Sequence, residues 1–356
     1  MFNSVMFYGI VEGVNDPLKN GRVQVRIHGI HTPNKSQIPS ETLHWAMVGM
    51  PVTSASVSGV GDTPRLVPGS AVMGMFLDGE NFQQPIVMWS VPSIPEEFAK
   101  PSIGFNDPRT GLNPTNQPAP PASISYTDSG PDITEGDRTS YPRYVNEPDL
   151  NPRTRGGETH IKTNKAASKV TGIQNPQGSW DEPTDTYNPT YPFNRVMESE
   201  SGHAIEMDDT PGAERLHVYH RTGSFIEYTA SGDVFHKSVG DSFFSTLADE
   251  YCYVGGKKLV TVEKGMGIRV NNGGGSESLD IEVGDGGNIN ITVESGDVTL
   301  NVNEGNVDKY VNGNVTETVT GNYTLVVAGS YSNQAATISS VASGIQTIQG
   351  SIVNIN

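Results

Sequence analysis

The sequence is poor in cysteine, in basic residues and in long apolar runs. One cysteine in 356 residues, Cys252, excludes an internal disulfide framework. With 23 Lys and Arg against 40 Asp and Glu, the formal net charge of −17 argues against binding to nucleic-acid phosphates. No run approaches the roughly 18 apolar residues of a membrane-spanning helix, and the first residues lack the basic and apolar regions of a signal peptide. These absences predict a soluble, acidic protein that is made in the cytoplasm.

Residues typical of helical cores are also scarce, since only 35% of the chain is hydrophobic and it contains 40 Gly and 24 Pro. Short runs rich in Val and Ile, separated by Gly, Asn and Pro, are typical of turn-rich β structure. At roughly 100–200 residues per domain, the length allows two or three domains. The composition therefore predicts an all-β protein of more than one part.

The prolines divide the chain. Twelve of the 24 lie between Pro92 and Pro152, and none follows Pro211. Residues 1–95 contain short apolar runs between turn residues, such as GRVQVRIHGI and SAVMGMFL, which predict a barrel of about five or six strands. Residues 96–195 are polar and rich in Pro, which predicts an extended connector between two folded parts.

The last part of the chain carries a repeat. Apolar residues recur two, four and six positions after each of a series of glycines, which is the pattern of a strand with one apolar face. The glycines are spaced by nine, nine, eight, eight and eight residues: Gly287, Gly296, Gly305, Gly313, Gly321 and Gly329. A spacing of nine requires an extra residue at the corner, where glycine permits positive φ. Gly313→Val is therefore expected to weaken the assembly if the corner at Gly313 needs positive φ.

A repeat of about eight residues cannot close a core by itself, so neighbouring repeats must stack. Each repeat offers a narrow apolar face, and three chains wound together would close a slim triangular prism. The sequence therefore predicts an intertwined β-helical needle over residues 196–356 of a homotrimer. Two inward positions, Lys309 and Glu317, break the apolar series without an explanation from the sequence. The residues expected to shape the needle are Gly305, Val311, Gly313, Val319, Gly321, Val327 and Gly329.

The first 95 residues contain three strings in this order: YGIVEGVNDPLKNGRVQVRIHGIH, LHWAMVGMPVTSASVSGVG and PGSAVMGMFLDGENFQQPIVMWSV. They resemble the N-terminal OB-fold of the central spike proteins of contractile phage tails of the T-even kind. The string SGHAIEMDDTPGAERLHVYHRTGSFIEYTASGDV resembles the start of the β-helix in those spikes and in the VgrG proteins of type VI secretion. The repeats VNGNVTET, VTGNYTLV and VAGSYSNQ are similar to the V-x-G repeats of the same family.

The resemblance implies an OB-fold over residues 1–95 that docks to a baseplate hub protein, and a trimeric needle that pierces the host outer envelope when the sheath contracts. It places the protein in the virion, in the tail baseplate, with entry into the periplasm during infection. The connector over residues 96–195 stands where T-even spikes have a lysozyme domain, so no enzymatic activity is expected. No histidine follows His236, which excludes an H-x-H iron apex and favours a separate PAAR-like tip protein at the C-terminal end.

Several polar pairs could be mistaken for reactive sites. In HGIH and HVYH the histidines are three residues apart, a spacing that places them on opposite faces of a strand and disfavours metal chelation. Asp208 and Asp209 precede Thr-Pro-Gly, which favours a turn over acid–base chemistry. We therefore predict no catalytic, cofactor-binding or metal-binding residues.

Three alternative functions fit parts of the sequence less well. A spike of a type VI or related contractile injection system is the nearest one, although a hub domain usually precedes the OB-fold in type VI chains. A trimeric tailspike that cleaves surface polysaccharide would need a broad groove lined by carboxylates and aromatic residues, and the repeats do not offer one. A nucleic-acid-binding OB-fold would need a basic groove, whereas the chain is acidic.

Overall fold

A computed structural model of the chain describes residues 4–93, 104–105, 149–157, 160–199, 201–270, 278–284 and 286–354. The chain divides into two units, residues 1–267 and residues 268–356. Nearly all regular structure in the described part is β, as the composition predicts.

The first five strands close into a barrel in the order β1–β2–β3–β5–β4, with β4 pairing back to β1. Their bounds are β1 Val5–Gly13, β2 Val23–Ile27, β3 Trp45–Val48, β4 Ala71–Phe76 and β5 Pro85–Ser90. The pairs are antiparallel except for β3 with β5. Alternate apolar residues of these strands fill the interior, among them Val11, Val25, Val72, Phe76 and Val87, each at most 2% exposed. The barrel confirms the OB-fold expected at the N-terminus.

Two charged residues of the string DPLKNGRVQVR are placed by specific contacts. Asp16 accepts hydrogen bonds from the backbone N–H groups of Leu18 and Asn20, and it pairs with Arg22 at 2.6 Å. These contacts hold the turn that joins β1 to β2. The last arginine, Arg26, is fully buried and donates to Glu12 at 2.8 and 3.0 Å.

The connector predicted for residues 96–195 contains local structure where it is described. Its second half holds a 3-10 turn at Pro152–Arg155, the helix α1 at His160–Ala167, and a hairpin of β6, Ile173–Asn175, and β7, Gly178–Trp180. The helix has little apolar character, and Ile161 is its only fully buried apolar side chain. A helix of this composition gives no amphipathic signal in the sequence.

A second sheet follows, built as an antiparallel meander in which each strand pairs with the next. Its strands are β8 Asn194–Glu198, β9 Ala204–Asp208, β10 Arg215–Tyr219, β11 Phe225–Tyr228 and β12 Val234–Lys237. After Lys237 the described residues form no strand within the chain. They have no regular structure within the chain, and bends that end at five of the repeat glycines fall at 294–296, 303–305, 312–313, 320–321 and 328–329.

Candidate functional site

The second sheet has two faces of opposite character, and both follow from strict alternation along its strands. In β9 the sequence AIEMD buries Ala204, Glu206 and Asp208 and leaves Ile205 and Met207 exposed. β10 and β11 repeat the pattern, with buried charged residues and exposed apolar ones. The face that is covered within the chain is therefore the polar face, which is the reverse of an ordinary one-sided sheet.

The covered face is closed by the segment that runs ahead of the sheet. This segment, called the strap, comprises residues 151–157 and 160–187. Ile161 of the strap packs with Ala204, Tyr219 and Phe225 in a small apolar cluster. Lys165 lies over the ring of Phe225 with 4.6 Å between its Nζ and the ring centroid. The strap therefore attaches to the sheet by a limited apolar contact together with hydrogen bonds and ion pairs.

Glu206, in the middle of β9, is the centre of the ionic contacts. It is fully buried and pairs with Arg153 of the strap through both carboxylate oxygens. Arg215 Nη2 donates to Glu206 Oε2 at 2.6 Å, and His217 Nδ1 donates to the same oxygen at 3.0 Å. Since Arg153 belongs to the strap and the other two residues to β10, Glu206 ties the strap to the sheet.

Glu227 on β11 is a second centre. It accepts from Lys165 Nζ at 2.8 Å, from Arg215 Nη1 at 2.9 Å and from Thr186 Oγ1 at 3.1 Å. Lys165 also pairs with Asp185 at 2.7 Å, so the helix and the last residues of the strap meet near Glu227. Burial of such groups is favourable only when every charge has a partner with good geometry.

The pKa values of the two glutamates report how well they are paired. Burial by itself would raise the pKa of Glu206, but hydrogen bonds from His217 and Arg153 and the charges of Arg153 and Arg215 outweigh it and hold that pKa far below its usual range. The pKa of Glu227 is also lowered, because the charge and hydrogen bond of Lys165 and the charge of Arg215 outweigh burial. Burial lowers the pKa of His217, which favours the neutral ring. At neutral pH both carboxylates are therefore ionised and the ring carries no charge.

The other face of the sheet is apolar, and in the described part of the chain it remains exposed to solvent apart from a contact of Arg65 Nη1 with Met197 Sδ at 3.9 Å. In an ordinary sheet such side chains would line a core, but here they are between 38% and 60% exposed. They are Met197, Ile205, Met207, Leu216, Val218, Ile226, Tyr228 and Val234. Leu216 lies at the centre, opposite Met207 on one side and Tyr228 on the other. A contiguous apolar patch of this kind marks an interaction surface.

The repeat residues singled out in the sequence lie in the second unit, and all of them are exposed in the single chain. Val311, Val319 and Val327 are 45%, 51% and 44% exposed. Every described residue after Lys237 is classed as exposed, including the alternating Val, Ile and Leu of each repeat. A chain that exposes a regular apolar series and pairs with no other strand of its own lacks the partners that would bury the series.

The two kinds of glycine spacing differ in backbone geometry. Gly296 and Gly305, which close the nine-residue spacings, have φ of +127° and +118°. Gly313, Gly321 and Gly329 close the eight-residue spacings and do not adopt positive φ. The corner at Gly313 does not need positive φ, so the condition under which Gly313→Val is expected to weaken the assembly is not met. The corners that need glycine are those at Gly296 and Gly305.

Gly305→Ala is expected to lower the melting temperature of the assembled protein, whereas Gly313→Ala should have a much smaller effect. A side chain at φ +118° costs about 1–3 kcal/mol per chain, while Gly313 carries no such strain. Neither site is crowded, since the nearest atom to a Cβ at position 305 is 3.9 Å away and nothing lies within 4 Å at position 313. Thermal unfolding of the two variants measures the difference, and equal melting temperatures would contradict a strained corner at Gly305.

The polar pairs considered in the sequence are placed apart. His217 is fully buried in the ionic network, whereas His220 is exposed after the end of β10. His28 stacks between Tyr8 and Phe105, with ring centroids 5.2 and 4.0 Å away. Asp208 accepts from the N–H and the hydroxyl of Thr210, which is the turn contact expected of it. No group of three or more potential metal-binding side chains occurs in the described ranges.

The barrel wall carries a smaller apolar stripe. Tyr8, Met73 and Trp89 are cross-strand neighbours on β1, β4 and β5, and they are 38%, 36% and 53% exposed. Met6, next to this row, is 51% exposed. Tyr, Trp and Met are enriched at protein interfaces.

Nowhere in the described part of the chain is there a helix that is long and apolar enough to cross a membrane.

Comparison with known proteins finds similarity to phage proteins named Gp5. The family model of the Gp5 N-terminal OB domain matches residues 29–118. The Protein Gp5 of Vibrio phage KVP40 is 34% identical over 265 residues, covering 71% of this chain and 62% of that protein. The pre-baseplate central spike protein Gp5 of Enterobacteria phage T4 is 42% identical over 114 residues, covering 30% of this chain and 20% of that protein. The chain thus spans less than two thirds of the length of either relative.

Proposed function

Because the chain is a relative of the Gp5 central spike proteins of T4-like phages, we propose that it is a structural, non-enzymatic component of a contractile tail baseplate. In this proposal three copies form the central spike of the virion, which links the hub to the tip and pierces the host envelope when the sheath contracts. The surfaces of the chain support each part of this assignment.

The observation that carries the proposal is the unpaired C-terminal part of the chain. After Lys237, alternate apolar residues are exposed along segments without regular structure, and the chain bends at five of the repeat glycines. Unpaired backbone N–H and C=O groups along such segments require strands from elsewhere. Three chains that bend at the same glycines would pair with one another and enclose the apolar series. A β-helical needle over residues 196–356 satisfies both requirements.

The exposed apolar face of the second sheet supports the same assembly. In a trimer with threefold symmetry, the faces centred on Leu216 would meet around the axis and leave water together. The polar face, already covered by the strap, would then face outward.

The proposed partners are a hub protein, a tip protein and the host envelope, and the exposed barrel wall supports the first of them. We assign the barrel to the baseplate hub protein, because the stripe of Tyr8, Met73 and Trp89 is exposed on its wall. A PAAR-like tip protein is assigned to the C-terminal end of the needle, and the host outer envelope is a transient partner. From Asn272 to Asn356 the chain has nine acidic residues and one basic residue, Lys309, so the shaft would be repelled by anionic lipid and lipopolysaccharide phosphate.

The non-enzymatic part of the proposal is supported by how the buried carboxylates are used. Glycoside hydrolysis needs two carboxyl groups that face each other across an open cleft. In the described part of the chain, Glu12, Glu206 and Glu227 are buried and each is paired with an arginine or a lysine. Carboxylates held in this way have no access to a substrate and no free proton to donate.

The solution mass of the purified chain tests the proposal. Light scattering is expected to give about three times 38.2 kDa, and the value should hold on tenfold dilution, since intertwined chains do not dissociate readily. The same preparation should leave the turbidity of a peptidoglycan suspension unchanged. A mass of one chain would overturn the trimeric spike, and lysis of peptidoglycan would overturn the non-enzymatic assignment.

A further inference from the structure

The repeats contain two charged residues at a position where three of the other four repeats have an apolar residue and the last has Asn333. Lys309 lies four residues after Gly305, and Glu317 lies four residues after Gly313. In the neighbouring repeats the same position is Ile291, Leu300 or Leu325. Each charged residue is also flanked, two positions before and after, by valine: Val307 and Val311, then Val315 and Val319. Lys309 and Glu317 therefore occupy the middle of the apolar face.

The structure places these two side chains against each other. Lys309 Nζ lies 4.0 Å from Glu317 Oε1 within one chain. Eight residues of straight strand would separate their Cα atoms by roughly 27 Å, which is far beyond the reach of the two side chains. The chain bends between them at 312–313, which brings the two side chains within reach of each other.

We propose that Lys309 and Glu317 form a closed ionic layer inside the needle, in which three lysines of one repeat level face three glutamates of the next. This inference rests on the proposed trimeric spike, because threefold symmetry brings each inward residue close to its two copies. Three ammonium groups at one level would repel one another if they were alone. The carboxylates contributed by the following repeat balance them, and each chain supplies both partners.

Such a layer fixes how the chains align. A polar group in an otherwise apolar interface is satisfied in one register and left unpaired in others, as single polar positions in coiled coils show. The apolar series alone repeats every eight residues, so a chain that slips by one repeat would lose little apolar contact. A chain that slips by one repeat keeps its own Lys309 beside its own Glu317, but it places one of these charged side chains among apolar residues of the other two chains. The pair thus selects the correct register among three nearly identical chains.

Four variants of the full chain test the proposal by thermal unfolding and light scattering. Lys309→Val and Glu317→Val each leave three like charges around the axis, and each is expected to lower the melting temperature by about 10 °C or more. The charge-swap variant, with Lys309→Glu and Glu317→Lys together, restores the pairing and should melt within a few degrees of the unchanged protein. Asp308→Val is the matched control, because Asp308 is a charged neighbour on the opposite face of the strand.

The outcomes separate this inference from the proposed function. If the unchanged protein is a monomer, the trimeric spike fails and this inference fails with it. If the protein is a trimer but Lys309→Val and Glu317→Val melt like Asp308→Val, the ionic layer alone is overturned. The ionic layer is also overturned if the single variants are unstable and the charge-swap variant is unstable too. Size and shape at these positions would then matter more than charge pairing.

Discussion

Leu216→Glu should convert the assembled protein into single chains. Leu216 lies at the centre of the exposed apolar face, between Met207 and Tyr228, and it is 41% exposed within one chain. In the single chain a glutamate there would stay in water and disturb little. In the trimer each of the three chains would bury a carboxylate without a partner, at a cost of several kcal/mol per chain. Light scattering measures the loss as a fall from the mass of three chains towards that of one.

The matched control is Leu18→Glu, which makes the same chemical change at an exposed leucine outside the sheet. Leu18 lies in the turn between β1 and β2 and is 64% exposed. This variant should keep the mass of the unchanged protein. If Leu216→Glu also kept that mass, the apolar face would remain in water in the assembled state, and the role assigned to it would be wrong. If both variants lost mass together, the effect would come from added charge alone.

The barrel was predictable because its sequence combines local signals that agree with one another. Apolar alternation predicts the strands, and Gly and Asn predict the turns between them. The contacts of Asp16 and Arg26 then show why the string DPLKNGRVQVR carries charges at fixed positions: one closes a turn, and the other forms a buried pair with Glu12. The resemblance to phage spikes rests on the same residues.

The strap and the ionic network could not be predicted in the same way. Arg153, Lys165 and Glu227 look like surface residues in the sequence, since charged side chains are seldom fully buried. Their burial depends on partners that are 53 and 62 residues apart along the chain, Arg153 with Glu206 and Lys165 with Glu227. No local pattern encodes pairs at such separations. The helix α1 was missed for a related reason, because its buried side includes His160 and Lys165.

Alternation in β9 to β11 shows that the sheet has two faces, but not which face is covered by the same chain. In AIEMD and RLHVY the apolar residues would conventionally be assigned to the core. The structure covers the charged face instead, because the strap supplies complementary charges. In the proposed trimer the apolar face would be buried by other copies of the chain, whereas the charged face is buried by the strap of the same chain. The repeats follow the same logic, since their apolar side has no partner within the chain.

Glu206→Gln is expected to release the strap from the sheet. The substitution keeps the size of the side chain but removes the charge that balances Arg153 and Arg215, both of which stay buried. Breaking a buried pair by removing one partner costs about 3–5 kcal/mol, and here two buried arginines lose the same carboxylate. Hydrogen–deuterium exchange at pH 7 should show faster exchange over residues 152–167, while the barrel strands keep their protection.

The control for this variant is Asp209→Asn, next to the buried row. Asp209 pairs with Arg195 at 3.4 Å, and the two side chains are 60% and 73% exposed. A pair exposed to this degree is worth at most about 1 kcal/mol, so exchange over the strap should stay unchanged. Since the pKa of Glu206 is held low in the folded chain, its contribution is present above the ordinary carboxylate pKa of about 4.3 and is lost as the pH falls below it. Acid should therefore loosen the strap in the unchanged protein as Glu206→Gln does at pH 7. A strap that stays protected in Glu206→Gln would show that the apolar contact around Ile161 is enough to hold it.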